Sequence, residues 1–270
     1  MSSRILNPRD MVVLTVLAEM YGASLDRVAR MLGLSMQSAY RYTAKWRAAH
    51  LISDLKMRPV PGPMWVFPTR TALEAVLPFY TKFWTPTPKM AAHVATVLDV
   101  RLALVGLDLD RWISERQLRA AQTRPALGTL RGHVHDGRFY KADGSLWAVE
   151  VELTAKNATA ARSAVVRAKQ AAAAGGCDGL IYYCKNEWLD ARRQPIRHSD
   201  EIRNVITQAA RYAADAVEGP PIRVADLSDV LKPSKQDTGT GLVRPGLTVI
   251  EGGASDHGDP DALHGEAVSS

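Results

Sequence analysis

Long apolar runs are absent from this sequence, and their absence argues against an integral membrane protein. Every apolar stretch is interrupted by charged residues well before the roughly 18 residues that a membrane-spanning helix requires. The N-terminal segment, MSSRILNPRD, also lacks the apolar region of a secretion signal. We therefore expect no membrane partner and a cytoplasmic location.

Cysteines and common enzyme signatures are equally scarce. The two cysteines, Cys177 and Cys184, have no secretory context, so we expect reduced core thiols rather than a disulfide or a zinc site. The chain contains no phosphate-binding GxxxxGK[ST] loop, no GxSxG turn, no HExxH helix and no paired CxxC motifs. These absences disfavour P-loop nucleotide hydrolases, α/β-hydrolases and zinc metalloproteases of the HExxH type.

The positive charge is concentrated in the first 231 residues. The whole chain has 34 Lys and Arg against 28 Asp and Glu, a formal charge of +6. Residues 232–270 hold three of the basic and six of the acidic residues, which leaves 31 basic and 22 acidic residues, or +9, upstream. That excess is compatible with a polyanionic partner. The segment 232–270 itself is rich in Gly, Ser, Pro, Asp and Thr, which predicts a disordered acidic tail.

Residues 1–86 carry the pattern of a helix-turn-helix domain. A first helix begins at Asn7, and Ser24 caps a short second helix. Gly33 allows a tight turn, after which Ser35 caps a third helix that runs to about position 50. Two strand-like segments, LISDLKM and MWVFP, follow around the loop RPVPGP. Together these elements predict a winged helix-turn-helix domain.

The third helix has a polar and basic face opposite its apolar stripe. Amide, hydroxyl and guanidinium groups near a helix N-terminus can read base edges and bind phosphates in a major groove, and the following loop can lie along the backbone as a wing. The alternative is an ordinary solvated helix, but the combination of elements favours binding of double-stranded DNA. The predicted DNA-binding residues are Gln37, Ser38, Tyr40, Arg41, Tyr42, Lys45, Lys56 and Arg58.

Residues 87–231 predict a second domain that contains both helices and strands. A long helix follows the proline-rich segment FWTPTPK, and the strand-like segments HVHDGRFY, SLWAVEVELT, DGLIYYC and PIRVADL alternate with helical segments at about 158–174 and 200–217. This order predicts a mixed sheet covered by helices, so the whole chain is expected to be an α/β (α+β) protein.

Two glutamates in the second strand-like segment are expected to be neighbours. Side chains alternate along a strand, so Glu150 and Glu152 share one face, and the same alternation would place Lys156 on it. Carboxylates roughly 7 Å apart can hold one metal ion between them. The alternative is a solvated sheet face, which shows the same alternation.

Four segments carry a further pattern. They are His93 in the long helix, WISERQLR (112–119), HDG (135–137) and EVELTAK (150–156). Together they resemble the replication-relaxation family of actinobacterial plasmids, integrative elements and phages, over roughly residues 8–228. The resemblance implies a winged helix followed by a domain similar to the PD-(D/E)xK nuclease fold, in which carboxylates from two strands bind Mg²⁺.

The resemblance also implies roles for individual residues. Asp136 would be the first acid and Glu150 the second, whereas Glu152 stands where a lysine is expected. Lys156 would partly replace that lysine, and Glu115 would supply a further carboxylate. The chemistry would be metal-assisted phosphodiester hydrolysis. The candidate catalytic residues are Asp136, Glu150, Glu152 and Lys156, and the candidate Mg²⁺ ligands are Asp136, Glu150, Glu152 and Glu115.

The sequence favours a DNA-binding protein of a mobile element or phage that acts in replication or its control. DNA binding without cleavage is favoured over a metal-dependent endonuclease. One alternative is a transcriptional regulator whose second domain only dimerises or binds a partner, and a homodimer fits paired DNA half-sites. The other alternative is a nickase in which His133 and His135 bind a metal ion beside a tyrosine nucleophile. The tyrosines fit that role poorly, because Tyr182 and Tyr183 lie in a predicted strand and Tyr212 is isolated on a helix.

Overall fold

The computed structural model describes residues 6–122, 132–189, 195–232 and 248–250. Helices and strands alternate along this part of the chain, so the expected mixed α/β class is confirmed. None of the described helices combines the length and the apolar composition that crossing a membrane would need.

Four helices and two short strands make up the N-terminal region. They are α1 (Pro8–Glu19), β1 (Ala23–Ser24), α2 (Leu25–Leu32), α3 (Met36–Ala48), β2 (Trp65–Val66) and α4 (Arg70–Val76). The caps explain where the helices begin. Asn7 and Asp10 form a reciprocal capping box at the start of α1, and the Ser35 hydroxyl accepts a hydrogen bond from the Ser38 amide at the start of α3. Between α2 and α3, Gly33 adopts a φ of 59°, which a residue with a side chain rarely does.

The two strand-like segments after α3 lie beside each other but form little regular sheet. β2 pairs antiparallel with β1, and single bridges join Met57 to Trp65 and Ile52 to Pro68. Three prolines in the connecting loop cannot donate ladder hydrogen bonds, which limits the pairing. The first segment, LISDLKM, therefore contributes bridges rather than a continuous strand.

A six-stranded sheet dominates the rest of the chain. Its strands are β3 (Trp112–Ser114), β4 (Gly137–Tyr140), β5 (Leu146–Glu152), β6 (Gly179–Cys184), β9 (Ile222–Asp226) and β10 (Thr248–Ile250). β7 (Glu187–Leu189) and β8 (Pro195–His198) form a separate hairpin. The helices are α5 (Pro88–Leu104), α6 (Glu115–Ala121), α7 (Ala158–Ala174), α8 (Glu201–Ala216) and α9 (Leu227–Leu231).

The sheet is mixed, with the order β10-β9-β6-β5-β4-β3. β3, β4 and β5 pair antiparallel, whereas β5, β6 and β9 run parallel. The chain passes from β5 to β6 through α7 and from β6 towards β9 through α8. Parallel neighbours need such crossover helices, which cover the sheet.

The two faces of the sheet pack against different helices. On one face, Val149 and Val151 belong to a core that also contains buried residues of α1, α2, α3 and α5. On the other face, Ala148 and Leu180 pack with the alanine-rich inner sides of α7 and α8, whose small side chains allow close approach. The first core is continuous across the predicted domain boundary at 86/87, and the division into two domains stays a prediction.

Several predicted boundaries need correction. The strand predicted for HVHDGRFY begins only at Gly137, so His133, His135 and Asp136 precede it. β5 ends at Glu152, which leaves Lys156 in the loop before α7 rather than on the strand.

The predicted disordered tail lies mostly outside the described residues. Residues 248–250 are the exception, because they form β10 and pair antiparallel with β9. For these three residues the expectation of disorder is wrong. The sequence TVI favours a strand, since all three of its residues are β-branched.

Buried and half-buried ion pairs join the helical region to α5. The fully buried Arg101 pairs with Glu19 at 2.5 Å, and Arg27 contacts both carboxylate oxygens of Asp99. Arg116 adds a 2.6 Å hydrogen bond from its guanidinium to the Ala18 carbonyl. Removal of one partner from a buried pair leaves the other charge without compensation, so these contacts hold the two regions in register.

Substitution of Arg101 by Met should therefore leave the Glu19 carboxylate without a positively charged partner. We expect the free energy of unfolding to fall by about 3–5 kcal/mol, measured by urea denaturation. The double variant with Met at both positions 19 and 101 should recover most of the loss, because an apolar pair needs no charge compensation. Arg211→Met, at an exposed position on α8, is the control. A loss below about 1 kcal/mol for Arg101→Met would contradict this role.

Candidate functional site

The centre of the site is the start of β4, which lies beside the end of β5. The two strands are antiparallel with Gly137 opposite Val149, so Asp136 lies next to the Glu150–Val151 segment. The Asp136 Oδ2 atom accepts a 2.8 Å hydrogen bond from the Val151 amide. Gly137 leaves room for the Trp112 ring of β3, because an added Cβ would lie 2.2 Å from it. Strand register thus places the predicted first acid beside the predicted second.

The other oxygen of Asp136 contacts α5. The His93 Nε2 atom lies 2.8 Å from Asp136 Oδ1. Burial would lower the pKa of His93, but the hydrogen bond and charge of Asp136, together with the charges of Glu115 and Glu150, raise its pKa above the ordinary value. The shift favours the charged form of His93, which would oppose the negative charge of the carboxylates.

Glu150 is the most perturbed acid of the site. Its side chain is 15% exposed and lies 2.7 Å from the His133 Nε2 atom. Burial, followed by the charge of Asp136, raises the pKa of Glu150 to about 7, against the opposing effect of His133. The raised pKa favours the protonated form of Glu150 more than in a free side chain. A carboxyl group with such a pKa in a polar cluster marks a candidate functional residue.

Glu152 and Lys156 form a separate ion pair beside this cluster. Glu152 is buried, and its carboxylate contacts the Lys156 ammonium group although the lysine lies in the loop after β5. Burial lowers the pKa of Lys156, while the charges of Glu150 and Asp136 oppose that shift. The acid that replaces the expected lysine is thus neutralised by a lysine from four residues further on.

Glu115 lies on the far side of His93 from β5. It begins α6, accepts a 2.9 Å hydrogen bond from Arg119 Nε, and lines a cavity of about 20 Å³ together with His93 and Asp136. The four motif segments of the sequence therefore meet around Asp136, although up to 63 positions separate them along the chain. Whether Asp136, Glu150, Glu152 and Glu115 bind one Mg²⁺ ion together stays a prediction.

A different group of side chains has its possible metal-ligand atoms close together. Among the described residues, the group of three His, Cys, Asp or Glu side chains that could hold a metal ion is His133, His135 and Glu150, whose ligand atoms lie within 4.8 Å of one another. The two histidine rings are 5.2 Å apart and nearly perpendicular. His135 is fully buried, and burial lowers its pKa to about 4, so it is neutral at physiological pH.

An open groove of about 520 Å³ runs past His133. Arg138 and Arg167 line it, together with residues of α7. Arg138 donates hydrogen bonds to the carbonyl oxygens of Ala171 and Gly175, which fix its guanidinium at the end of α7. The groove thus presents two guanidinium groups beside the histidine–glutamate cluster, and guanidinium groups bind phosphate well.

The tyrosines of the nickase alternative lie in unfavourable positions. Tyr182 is opposite Glu150 on β6, but it is only 3% exposed, and burial raises its pKa well above the ordinary value. Tyr183 is also buried. Tyr212 is exposed on α8 and lies over Arg162 of α7. None of these three is both exposed and adjacent to the histidine pair.

The predicted DNA-binding face of α3 is accessible. Gln37, Tyr40, Arg41 and Lys45 are exposed, and so are the loop residues Lys56 and Arg58. Ser38 and Tyr42 are half-buried and have structural contacts. The Ser38 amide closes the α3 cap, and the Tyr42 hydroxyl accepts a hydrogen bond from Asn7 while its ring packs edge-on against Trp46. Six of the eight predicted residues are therefore free to meet a ligand.

No protein-family model matches this chain, and no curated protein or solved structure shows detectable similarity to it. The resemblance to the replication-relaxation family accordingly stays a prediction. The function has to be argued from the geometry of these residues.

Sequence reasoning assigned no role to three groups at this site. His93 was noticed only as part of a motif, and Arg138 and Arg167 were not singled out. The signal for His93 was its place in an otherwise apolar helix face. No local pattern marks the two arginines, because they come together through the packing of α7 on the sheet.

Substitution of Asp136 by Asn should lower two pKa values at once. His93 would lose its anionic partner and Glu150 a repelling neighbour, so NMR titration in metal-free buffer should show both values closer to those of free side chains. The Asp136–His93 contact stabilises the fold below pH 6.5 and loses this effect as the pH rises through the raised histidine pKa. Asp110→Asn, at an exposed position, is the control, and unchanged values in Asp136→Asn would refute the assigned contacts.

Proposed function

We propose that this chain is a DNA-binding protein that contacts duplex DNA through α3 and acts in the replication, or the control of replication, of a mobile element or phage. The observation that carries the binding proposal is the exposed polar and basic face of α3 at the end of a helix–glycine turn–helix unit. The assignment to replication rests on the resemblance of the four motif segments alone.

The packing of α3 supports this use. Ala39, Thr43 and Trp46 are buried against the other helices, which turns Arg41 and Lys45 towards solvent. A basic residue at this place can pair with a phosphate, and the amide of a neighbouring glutamine can read a base edge. α2 and the turn pack against one face of α3 and leave its opposite face exposed, as in helix-turn-helix proteins.

The segment after α3 supports a wing. Single bridges join Ile52 to Pro68 and Met57 to Trp65, so residues 52–57 lie beside the segment that contains β2. β2 in turn pairs with β1, which immediately precedes α2 in the chain. Lys56 and Arg58 are exposed on this segment. A winged helix-turn-helix domain has this order of three helices and a folded-back loop, and the loop then lies along the phosphate backbone.

Removal of the basic groups of α3 should weaken DNA binding in a salt-dependent manner. For Arg41→Ala and Lys45→Ala, we expect weaker duplex binding and a loss of about 0.9 in the slope of log K against log salt for each phosphate contact removed. Fluorescence anisotropy at several salt concentrations measures both quantities. Arg211→Ala removes an exposed arginine from α8 and is the matched control. Equal slopes for all three variants would contradict binding through α3.

A second candidate function is metal-dependent hydrolysis of phosphodiester bonds. The resemblance to a PD-(D/E)xK-like fold implies an acid where one strand opens and a second acid on the next strand. Asp136 immediately precedes β4, and Glu150 lies on β5, the antiparallel neighbour of β4. This agreement of position supports a nuclease-like domain.

The donor set of this centre suits Mg²⁺ in part. The carboxylates of Asp136 and Glu150 are oxygen ligands of the kind that Mg²⁺ prefers. Both oxygens of Asp136 already accept hydrogen bonds, but each retains a second lone pair for an ion. A bound ion would polarise a phosphate and lower the pKa of an attacking water molecule. Lys156, held by Glu152, would place a positive charge near the developing negative charge.

Substitution of Glu150 by Gln tests this second function. If the centre hydrolyses DNA, Mg²⁺-dependent cleavage of plasmid and branched DNA should fall by about 100-fold or more, the usual effect of losing one electrostatic stabiliser. Glu74→Gln, at an exposed position on α4, should cleave like the wild type. DNA binding without cleavage by the wild type would favour the regulator alternative, in which the sheet domain binds a partner or a second copy.

A further inference from the structure

The fully buried His135 has a nitrogen that none of the described residues contacts through a hydrogen bond. Its Nε2 atom lies 3.0 Å from the Ala168 carbonyl oxygen of α7. A carbonyl oxygen only accepts, so Nε2 carries the proton and Nδ1 presents a bare lone pair. That Nδ1 atom is buried and has no hydrogen-bond partner in the described part of the chain. A buried acceptor without a partner is uncommon and calls for an explanation.

The surroundings of His135 are those of a metal ligand. A histidine that binds a metal ion through one nitrogen usually donates its other N–H to a carbonyl or carboxylate, which fixes the ring and its tautomer. The Ala168 carbonyl supplies that contact. His133 and Glu150 provide two further ligand atoms within 4.8 Å. Ligand atoms on a tetrahedral zinc ion are about 3.3 Å apart at bond lengths of about 2.0–2.1 Å, so the distances between these atoms would have to change by about 1.5 Å or less on binding.

We propose that His133, His135 and Glu150 form a binding site for a borderline divalent ion of the Zn²⁺ type, with a fourth position open to the groove that Arg138 and Arg167 line. Two imidazole nitrogens and one carboxylate oxygen suit Zn²⁺, whereas Mg²⁺ prefers oxygen ligands alone. Three protein ligands with one open position are typical of zinc ions that bind water or a substrate atom. The arginines would then direct a phosphate oxygen to that position.

An ion bound by both His133 and Glu150 would replace the contact that now joins them. The His133 Nε2 and Glu150 Oε1 atoms lie 2.7 Å apart in a hydrogen bond, so an ion that binds both atoms takes the place of that bond. The Nδ1 atom of His135 already presents a bare lone pair.

This inference does not depend on DNA binding or cleavage, since uptake of the ion alone is measurable. Full-length protein is freed of metal with a chelator and titrated calorimetrically with ZnCl₂. We expect one high-affinity ion per chain. Co²⁺ bound at the same site should show the ligand-field absorption of a low-coordinate ion.

His133→Ala and Glu150→Gln should each weaken Zn²⁺ binding by more than the 10- to 100-fold that is typical for loss of an outer hydrogen-bond partner. The control is His50→Asn, which removes an exposed imidazole at a φ of 56° that asparagine tolerates. Circular dichroism and thermal unfolding in chelator show which variants are folded. If His133→Ala is misfolded, Glu150→Gln decides, since it keeps the shape of the side chain.

Three results would overturn the site. They are the absence of saturable Zn²⁺ binding by the wild type, binding unchanged by Glu150→Gln, and equal weakening by His50→Asn. Because the measurements contain no DNA, none of these results would bear on the proposed contact between α3 and a duplex. Failure of the DNA-binding experiment would equally leave the metal site intact.

Discussion

The pairing of β4 with β5 is the constraint on which the candidate site depends. It places the Asp136 carboxylate between two partners, the Val151 amide on β5 and the His93 imidazole on α5. Burial, together with the negative charge of the neighbouring Asp136, then raises the pKa of Glu150 to about 7. Glu150 also lies 2.7 Å from the His133 Nε2 atom.

This centre and the α3 face are parts of one packed body. The core on the α5 side of the sheet includes residues of α1, α2 and α3, and the buried Arg101–Glu19 pair reinforces the contact. A charge buried in such a core destabilises the folded state unless its partner is also present. The pair therefore specifies how the helical region packs against the sheet domain. For the proposed function, this packing would hold the α3 face at a fixed position relative to the acids on the sheet.

Local sequence signals predicted the elements well, because caps and periodicity act over a few residues. Asn7, Ser35 and Thr69 all cap helices where the pattern indicated, and the alternation in WAVEVE correctly describes β5. The tail strand β10 was missed, since its three residues acquire regular structure only by pairing with β9. His133 to Asp136 looked like part of a strand because of their alternation, but they form the approach to β4.

The sequence alone could not predict which residues contact the acids, because those contacts form between segments that are far apart in the chain. His93 lies 43 positions before Asp136, and His133 lies 17 before Glu150. The alternation that put Glu150 beside Glu152 could not show that Lys156 would neutralise only the latter. Nor could it show that the bare nitrogen of His135 would be buried beside Glu150.

The most direct measurement of the central claim is anomalous X-ray diffraction from crystals soaked with Zn²⁺ and, separately, with Mn²⁺. If the ligand groups converge on Glu150, an anomalous peak should lie within bonding distance of its carboxylate and also close to either the two histidines or Asp136. Peaks confined to other parts of the surface, with Glu150 still joined to His133, would contradict the account.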